Sequence, residues 1–302
     1  MNLNKLQGKN ILVTGASGFI GSNLTFKLVE LGMNVYGVSR AVQENTINLH
    51  WFQGDLADET FVNSIFDSVN FDYVIHLASH VLGARDQKYV ATTFKANLVT
   101  TINLLNAIHN HKVTRLVLAG SFEEGKQNID TPSSPYAAAK IAASNYANMY
   151  YHLYNTPVTT AALYMVYGPG QVDLTKLIPY TILKTLNGKS PELTSGVRMV
   201  DWIFVGDVVM GLIHMLLAEN IDGKTIELGT GKSISIKEIV RQTVRLVDNT
   251  IEPIFGATKD RPMEQEKNAD VENTYRQIGW KPTVNLETGL VKTIAYYKQL
   301  NG

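Results

Sequence analysis

A tyrosine and a lysine four residues apart are the side chains of this sequence best suited to acid–base chemistry. Tyr136 and Lys140 begin an alanine-rich segment that predicts a helix, so both would lie on one helix face. An ammonium group beside a phenol favours the phenolate. We therefore expect Lys140 to lower the pKa of Tyr136 and make it a proton donor or acceptor near neutral pH. A solvated helix face is the alternative for the pair taken alone.

Three glycines at intervals of three residues predict a phosphate-binding turn. Gly15, Gly18 and Gly21 follow a β-branched apolar run at residues 11–14 and open a segment with apolar residues at helical spacing. Glycine allows a tight strand-to-helix turn and lets the backbone approach a pyrophosphate at the helix N-terminus. The turn therefore predicts a dinucleotide cofactor. The same predicted site includes Ser17, Phe19 and Ile20.

The end of the second predicted strand bears on which dinucleotide is bound. An acid there would accept a hydrogen bond from the ribose 2′-hydroxyl, but this chain has Ser39 followed by Arg40. A guanidinium without a neighbouring carboxylate suits a 2′-phosphate by charge and by forked hydrogen bonding. We therefore expect NADP(H) in preference to NAD(H). A surface arginine in a polar loop is the alternative for Arg40.

Predicted strands and helices alternate along the first half of the chain, and the strands are almost continuously apolar. This pattern is typical of a parallel sheet covered by helices on both faces. We expect an α/β fold with a Rossmann-type, doubly wound parallel sheet and a smaller C-terminal substrate-binding lobe. The predicted dinucleotide-binding domain spans residues 1–164 and the second lobe 165–302, with segments such as 200–230 returning to the first domain. The main predicted strands are 11–14, 35–38, 73–77, 116–118 and 158–164, and the main predicted helices are 20–31, 94–109, 135–154, 176–186, 235–247 and 286–300.

The composition excludes several classes of protein. The 302 residues are 45% hydrophobic and carry 27 basic against 27 acidic side chains, so no net charge attracts nucleic acid or an anionic membrane. The sequence has no cysteine, which excludes disulfides, thiolate metal sites and a cysteine nucleophile. Its seven histidines show no metal-ligand spacing, and its longest apolar stretch, 208–218, is well short of the ~20 residues of a membrane span. We expect a cytoplasmic protein without a metal ion.

Residues 229–233 are similar to the end of a phosphate-binding P-loop. That motif needs a glycine five residues before its Gly-Lys pair, and Ile226 stands at that position. The segment therefore predicts no kinase. Among the histidines, His76 lies inside an apolar predicted strand and is expected to be a hydrogen-bonded core residue. His80 lies just beyond that strand and is a candidate sugar contact.

Taken together, these motifs resemble those of the extended short-chain dehydrogenase/reductases, a family of NAD(P)-dependent nucleotide-sugar epimerases, dehydratases and reductases. The resemblance covers nearly the whole chain and implies a nucleotide-sugar substrate. It is carried by residues 14–21, 54–56, 76–79, 104–105, 134–140, 167–171, 229–233 and 261–264, together with Asn97.

The resemblance implies roles for further residues. Ser121 would bond the substrate oxygen whose proton Tyr136 and Lys140 handle, and Glu123 is a candidate base. Further cofactor contacts are implied for Asp55, Leu56, Leu77, Ala78, Ser79, Asn97, Ala119 and Tyr164. Further substrate contacts are implied for His80, Met165, Arg198, Arg261 and Glu264.

The chain departs from the family pattern at several positions. Phe122 stands where dehydratases of the family often carry an acid, which argues against dehydration because that reaction needs a proton donor at the departing hydroxyl. Met165 and Ala162 replace an asparagine and an arginine of the family, and Val200 stands where an arginine commonly precedes the aspartate. These changes weaken the expected recognition of a diphosphate.

The cofactor expectation decides between the reactions of the family. A reductase spends NADPH once per turnover, which suits Arg40, so we expect NADPH-dependent reduction of a nucleotide-linked 4-keto-6-deoxysugar. The alternative is an NAD-dependent nucleotide-sugar 4-epimerase, and a 4,6-dehydratase is less favoured. A catalytically idle cofactor-sensing protein is least compatible with the Ser-Tyr-Lys set. The resemblance also implies a homodimer through a four-helix bundle, with Tyr146, Tyr150 and Tyr154 at the interface unless they pack within one chain.

Overall fold

The computed structural model describes residues 2–82, 84–124, 131–260 and 266–301. Its strands are β1 (Asn10–Thr14), β2 (Asn34–Ser39), β3 (Leu49–Gln53), β4 (Tyr73–His76), β5 (Arg115–Ser121), β6 (Val158–Leu163), β7 (Met165–Tyr167), β8 (Glu192–Leu193), β9 (Met199–Phe204), β10 (Thr225–Leu228), β11 (Ser233–Ser235) and β12 (Ile254–Phe255). In this part of the chain, seven strands form one sheet in the order β10-β6-β5-β4-β1-β2-β3, and every neighbouring pair is parallel.

Helices connect and cover these strands. They are α1 (Phe19–Glu30), α2 (Glu59–Ser68), α3 (Val90–Thr93), α4 (Thr100–Asn110), α5 (Pro135–Tyr154), α6 (Leu177–Leu186), α7 (Val205–Leu217), α8 (Ile236–Val247), α9 (Val271–Ile278) and α10 (Leu286–Asn301). Short 3-10 turns occur at Leu3–Leu6, Gln87–Tyr89 and Phe122–Glu124. None of the helices in the described ranges combines the length and the apolar character that crossing a membrane requires.

The large sheet is buried on both faces, as its apolar strands predict. Every residue of β4 and β5 is buried. On one face, the core includes Leu24 of α1 and Leu212 of α7, and on the other face it includes Ile65 of α2 and Leu104 of α4. The prediction of a Rossmann-type parallel sheet between two helical layers is therefore confirmed.

In the described ranges, the remaining strands form two smaller sheets. β9 pairs in parallel with β7 and antiparallel with β11, while β8 pairs with β12. A separate apolar cluster joins these strands to α6, α8 and α10. After β9 the chain returns to the large sheet, because α7 packs against α1 and β10 pairs with β6. The domain division at residue 164 stays a prediction.

The predicted helix at 94–109 differs from the helix in the structure. Its first part, Phe94–Val99, is a π-helix, which continues directly into α4. Thr100 and Thr101 donate their hydroxyl protons to the carbonyl oxygens of Ala96 and Asn97, at 2.8 Å in both cases. A π-turn is wider than an α-turn and commonly occurs at functional sites. Apolar spacing cannot distinguish the two kinds of turn, because it reports only which side of the helix is buried.

Helix α5 carries the tyrosines proposed for a dimer interface. Tyr146 and Tyr154 are exposed, but Tyr150 is buried against α4, where its hydroxyl donates to Asn106. Tyr150 also packs edge-on against Tyr154, with ring centroids 5.1 Å apart. Tyr150 therefore belongs to the fold of one chain, and a homodimer stays a prediction.

One buried arginine joins the N-terminal end of β5 to the end of α7. The Nε of Arg115 donates to Oδ1 of Asp222 at 2.6 Å, and its Nη1 donates to the carbonyl oxygens of Met215 and Ala218 at 2.8 and 2.5 Å. The C-terminal carbonyls of a helix have no partners within that helix. The guanidinium supplies those partners, so we expect it to stabilise the attachment of α7 to the sheet.

Arg115→Met is expected to destabilise the protein by about 3 kcal/mol, because it leaves Asp222 and the α7 carbonyls without their buried partner. The measurement is urea unfolding followed by circular dichroism. Lys27→Met is the matched control, since Lys27 forms an exposed ion pair with Glu30 and exposed pairs contribute little. Equal destabilisation by both changes would contradict the role assigned to Arg115.

Candidate active site

The glycine turn lies between β1 and α1, as the sequence predicts. Gly15 has a φ of +68°, and a Cβ atom placed on it would lie 2.7 Å from the backbone nitrogen of Ala78. A Cβ on Gly21 would lie 2.0 Å from the carbonyl oxygen of Gly15. Both positions therefore require glycine, one for its conformation and both for the close approach of neighbouring backbone.

The third glycine leaves open space at the start of α1. Gly18 is the N-cap residue, and a Cβ on it would meet only the Gly15 carbonyl oxygen, at 3.2 Å. It supplies no side-chain cap to the helix, so amide groups of the first turn are available to a ligand. A helix N-terminus with free amides favours an anion. These features fit the pyrophosphate of a dinucleotide cofactor.

The residues predicted to lie at the adenosine end of the cofactor form a charged edge beyond β2 and β3. The Ser39 hydroxyl accepts a hydrogen bond from the Ala41 amide at 3.2 Å, and Arg40 beside it is exposed. Asp55 lies between two cations, with Lys95 Nζ 3.2 Å from its Oδ2 and Arg40 close enough to act on its charge. The Ala57 amide and these cations hold the pKa of Asp55 below its usual value.

A buried hydrogen-bond network supports the turn from below. His76 Nδ1 lies 2.6 Å from the Thr14 hydroxyl, and its Nε2 lies 3.2 Å from the Thr101 hydroxyl. Thr14 Oγ1 also accepts the Ala78 amide at 3.2 Å. Burial, with a smaller effect of the Lys140 charge, lowers the pKa of His76 to about 3, so its ring is neutral. The prediction that His76 is a hydrogen-bonded core residue is confirmed.

Asn97, in the π-helix, holds the loop that follows β4. Its Oδ1 accepts the Ser79 hydroxyl at 3.1 Å and the His80 amide at 2.6 Å. The structure thus brings Ser79 and Asn97, both implied as cofactor contacts, into direct contact. His80 is half-buried, and its Nδ1 lies 3.4 Å from the Thr93 hydroxyl. Leu77 and Ala78, in the same loop, lie against the glycine turn.

Ser121, Tyr136 and Lys140 meet at the C-terminal end of β5. Ser121 ends the strand, and the other two lie on the first turns of α5. The Ser134 hydroxyl caps that helix by accepting the Ala137 amide at 3.1 Å, and a proline at the first helical position favours the helix start. The Ser121 hydroxyl interacts with the Tyr136 phenol, so these two groups could bind one substrate oxygen.

The predicted lowering of the Tyr136 pKa by Lys140 is wrong, because other groups raise that pKa. Burial raises the pKa of the Tyr136 phenol, and the charges of Glu123 and Glu124 raise it further. Lys140 donates instead to the Ala119 carbonyl oxygen at 2.6 Å, and burial lowers its own pKa to about 8. The phenol is therefore protonated at neutral pH. Helical spacing placed the two side chains on one face but could not account for the burial of both groups or for the carboxylates.

Glu124 is a member of this site that sequence reasoning missed. Its Oε1 accepts the Ser121 amide at 2.6 Å, and its Oε2 accepts the Ser144 hydroxyl of α5. Burial raises its pKa, an effect opposed by these hydrogen bonds and by Lys140. Two consecutive acids after the strand were the signal, but only Glu123 was singled out. The amide of Glu123 donates to the Ser121 hydroxyl oxygen at 3.2 Å.

Two of the residues implied as substrate contacts, Met165 and Arg198, lie close together. A shallow depression near the end of β5 is lined by Phe122, Tyr164, Met165 and Arg198, among others. Phe122 is buried and stacks on Tyr164, with ring centroids 5.4 Å apart. This depression lies between the end of β5 and the smaller elements, and its use as a substrate site stays a prediction. Arg261 and Glu264, two further implied contacts, lie outside the described residues.

A buried aspartate organises the far wall of the depression and was not predicted. The carboxylate of Asp201 accepts the Thr230 amide at 2.8 Å, the Thr230 hydroxyl at 2.5 Å, the Gly231 amide at 2.8 Å and the Ala269 amide at 3.0 Å. The amides of the P-loop-like segment therefore bind a carboxylate of the chain itself. Within the described ranges, no group of three or more His, Cys, Asp or Glu side chains is arranged to hold a metal ion.

The sheet, the glycine turn and the Ser-Tyr-Lys group define a short-chain dehydrogenase/reductase of the extended type. The chain belongs to the NAD dependent epimerase/dehydratase family, whose pattern matches residues 11–229. It is 30% identical to a probable dTDP-glucose 4,6-dehydratase of Sinorhizobium fredii, over 95% of this chain and 92% of that protein. It is also 28% identical to a UDP-glucuronate 4-epimerase of Thermodesulfobacterium geofontis, with 95% and 96% covered.

Among solved structures, the Bordetella bronchiseptica enzyme WbmF in complex with NAD+ and UDP is similar, with a TM-score of 0.84 and 27% identity. The match covers 99% of this chain and 94% of that one. The predicted family and its status as an enzyme are confirmed. The expected 4-keto reductase is not supported by these relatives, which are named as a dehydratase and an epimerase, and the preference for NADP(H) stays a prediction.

Proposed function

We propose that this protein is an NAD-dependent nucleotide-sugar 4-epimerase, which inverts the configuration at one sugar carbon. The observation that carries the proposal is the convergence of Ser121, Tyr136 and Lys140 at the edge of the parallel sheet that also carries the glycine turn, with the apolar Phe122 directly after the serine. The similarity to a UDP-glucuronate 4-epimerase and to a structure holding NAD+ and UDP supports the same reaction class and substrate class.

The residues of the glycine turn fit the cofactor. The amides at the start of α1 would bind its pyrophosphate, Asp55 and Leu56 its adenosine, and Lys140 the ribose next to the nicotinamide. When bound, NAD+ would supply the redox chemistry, as hydride acceptor and then, once reduced, as hydride donor. Ser79, Asn97 and Tyr164 are further proposed contacts, since they surround the C-terminal ends of the central strands.

The chain itself handles the proton. In the oxidising half of the reaction, Tyr136 would accept the proton of the sugar hydroxyl, and in the reducing half it would return that proton. Ser121 would hold the same oxygen by a hydrogen bond. Because burial raises the pKa of Tyr136, the first half needs a nearby cation, and Lys140 can serve once its ammonium leaves the Ala119 carbonyl.

Phe122 favours epimerisation over dehydration. Its ring is buried and stacked on Tyr164, so the position after the serine offers no acid to protonate a departing hydroxyl. Glu123 favours the second candidate, a 4,6-dehydratase, because its carboxylate lies close enough to influence Tyr136. His80, Met165 and Arg198 are the proposed contacts to the sugar and its diphosphate, and Arg261 and Glu264 are proposed on the resemblance alone.

The proposal is tested by incubating the purified protein with UDP-glucuronate or dTDP-glucose and recording proton NMR spectra. Epimerisation changes the couplings of the proton at C4 and leaves the C6 carbon as it was. A new methyl doublet would instead identify the dehydratase. Steady oxidation of NADPH with a 4-keto sugar, without change in the other substrates, would reject the proposal in favour of the reductase expected from Arg40.

Arg40→Ala tests the remaining cofactor question. If Arg40 binds a 2′-phosphate, the change is expected to weaken NADPH binding by about tenfold or more, with little effect on NADH, because one charge-assisted contact contributes about 1.5–3 kcal/mol. The measurement is a fluorescence titration with each reduced cofactor. Equal losses of affinity for NADPH and NADH would show that Arg40 does not distinguish NADP(H) from NAD(H). Lys5→Ala, a change at an exposed site near the N-terminus, is the control.

A further inference from the structure

We infer that Glu124 is a positioning residue of the active site, which fixes Ser121 against α5 and provides the counter-charge for the buried Lys140. The inference rests on the proposed function, because it assigns a second task within the same site. It concerns a residue that the motif Ser121–Tyr136–Lys140 does not include.

The carboxylate of Glu124 joins two elements of the site. One oxygen accepts the backbone amide of Ser121 at 2.6 Å, and the other accepts the hydroxyl of Ser144. Ser144 follows Lys140 by four residues and Tyr136 by eight, so all three project from one face of α5. Through this bridge, Glu124 determines how far the Ser121 hydroxyl stands from the helix face that carries Tyr136.

The backbone is shaped to admit this carboxylate. A Cβ atom on Gly120 would lie 3.0 Å from Oε1 of Glu124 and 2.7 Å from a methyl group of Thr160. Any side chain at position 120 would therefore push the carboxylate or β6 away. The glycine lies inside β5, where a larger residue would otherwise be favoured, which agrees with a close approach that the site needs.

The charges around Lys140 make the carboxylate a suitable partner. Lys140 is buried, with Glu124 near it from the turn after β5 and the neutral ring of His76 near it from β4. Glu124 in turn has Glu123 beside it on the same turn. A buried ammonium without a counter-charge loses its proton easily, and Glu124 opposes that loss.

Glu124 also lies at the wall of a cavity. A cavity of about 340 Å³ is lined by Glu124, Ser144, Asn145, Thr160, Lys224 and Lys267, among others. Across it, Lys267 forms an ion pair with Glu227, and Lys224 is exposed. Contact with a polar cavity lowers the cost of keeping a half-buried carboxylate ionised. The site can therefore hold Glu124 in the charged form that Lys140 requires.

Glu124→Gln is the decisive change, because the amide oxygen can still accept from Ser121 while the charge is lost. The binding of NADH is measured by fluorescence as a function of pH, which needs no substrate. In the natural protein we expect binding to weaken as pH rises through the pKa of Lys140, about 8. Without the counter-charge, the midpoint is expected to move down by about 1 pH unit, and kcat should fall with KM for the sugar unchanged.

Two further variants keep the test interpretable. Glu124→Asp retains the charge and should restore the pH midpoint of the natural protein, even where its shorter side chain lowers kcat, and it carries the test if Glu124→Gln does not fold. Glu252→Gln, at an exposed position, should leave the midpoint in place. If Glu124→Gln binds NADH with an unshifted midpoint, or Glu124→Asp shifts it equally, the inference is overturned. If the natural protein binds no NADH, the proposed function itself fails.

Discussion

Tyr136→Phe is expected to lower turnover by a factor of about 10²–10⁴, the usual contribution of a general acid–base group. The change removes only the hydroxyl that interacts with Ser121, so the ring continues to fill its place on α5. Binding of NADH should stay within about twofold of the natural protein, because the pyrophosphate site lies on the glycine turn. The measurements are initial rates of sugar conversion and a fluorescence titration with NADH.

Tyr146→Phe is the matched control on the same helix. Tyr146 is exposed and lies ten residues beyond Tyr136, so the loss of its hydroxyl should leave turnover unchanged. Undiminished turnover in Tyr136→Phe would remove the tyrosine from the mechanism. A loss of NADH binding equal to the loss of turnover would instead show that its role is to hold the cofactor pocket.

Gly15→Ala is expected to have the largest effect on the cofactor site. An alanine there pays about 1–2 kcal/mol for its left-handed conformation, and its methyl group would press on the backbone of Ala78 at 2.7 Å. Overpacking of this kind costs a further 1–3 kcal/mol or so. The turn must shift to relieve the contact, so we expect NADH affinity to fall by at least about tenfold, in addition to the loss of stability.

Gly8→Ala separates the two contributions. Gly8 has a φ of +73°, close to the +68° of Gly15, but no atom lies within 4 Å of a Cβ built on it. Gly8→Ala should therefore lose only the free energy of the left-handed conformation and should leave NADH binding unchanged. Urea unfolding gives the stabilities of both variants. Equal destabilisation of Gly8→Ala and Gly15→Ala, with NADH affinity retained in both, would contradict this prediction. It would show that close packing of the glycine turn against Ala78 does not determine NADH affinity.

Local sequence patterns predicted some features of the active site and not others. The glycine turn and the start of α5 were predicted because each depends on residues close together in the chain, whereas the strand predicted at 116–118 continues to Ser121. The electrostatic state of Tyr136 was predicted wrongly, because it depends on burial and on carboxylates that arrive from the turn after β5. Asn97 was implied as a contact, but the π-helix that aims it at Ser79 and His80 arises from tertiary packing.

The sequence by itself determined the alternation of strands and helices, the place of the glycine turn and the family, since apolar period, glycine spacing and helix caps act over a few residues. The tertiary structure decided which distant groups share a low-dielectric site. Asp201 accepts hydrogen bonds from Thr230 and Ala269, which lie 29 and 68 residues further along the chain. Glu124 accepts a hydrogen bond from Ser144, which lies twenty residues further along. The pKa of a buried group depends on every charge and hydrogen bond around it, and those neighbours are chosen by the folding of the whole chain.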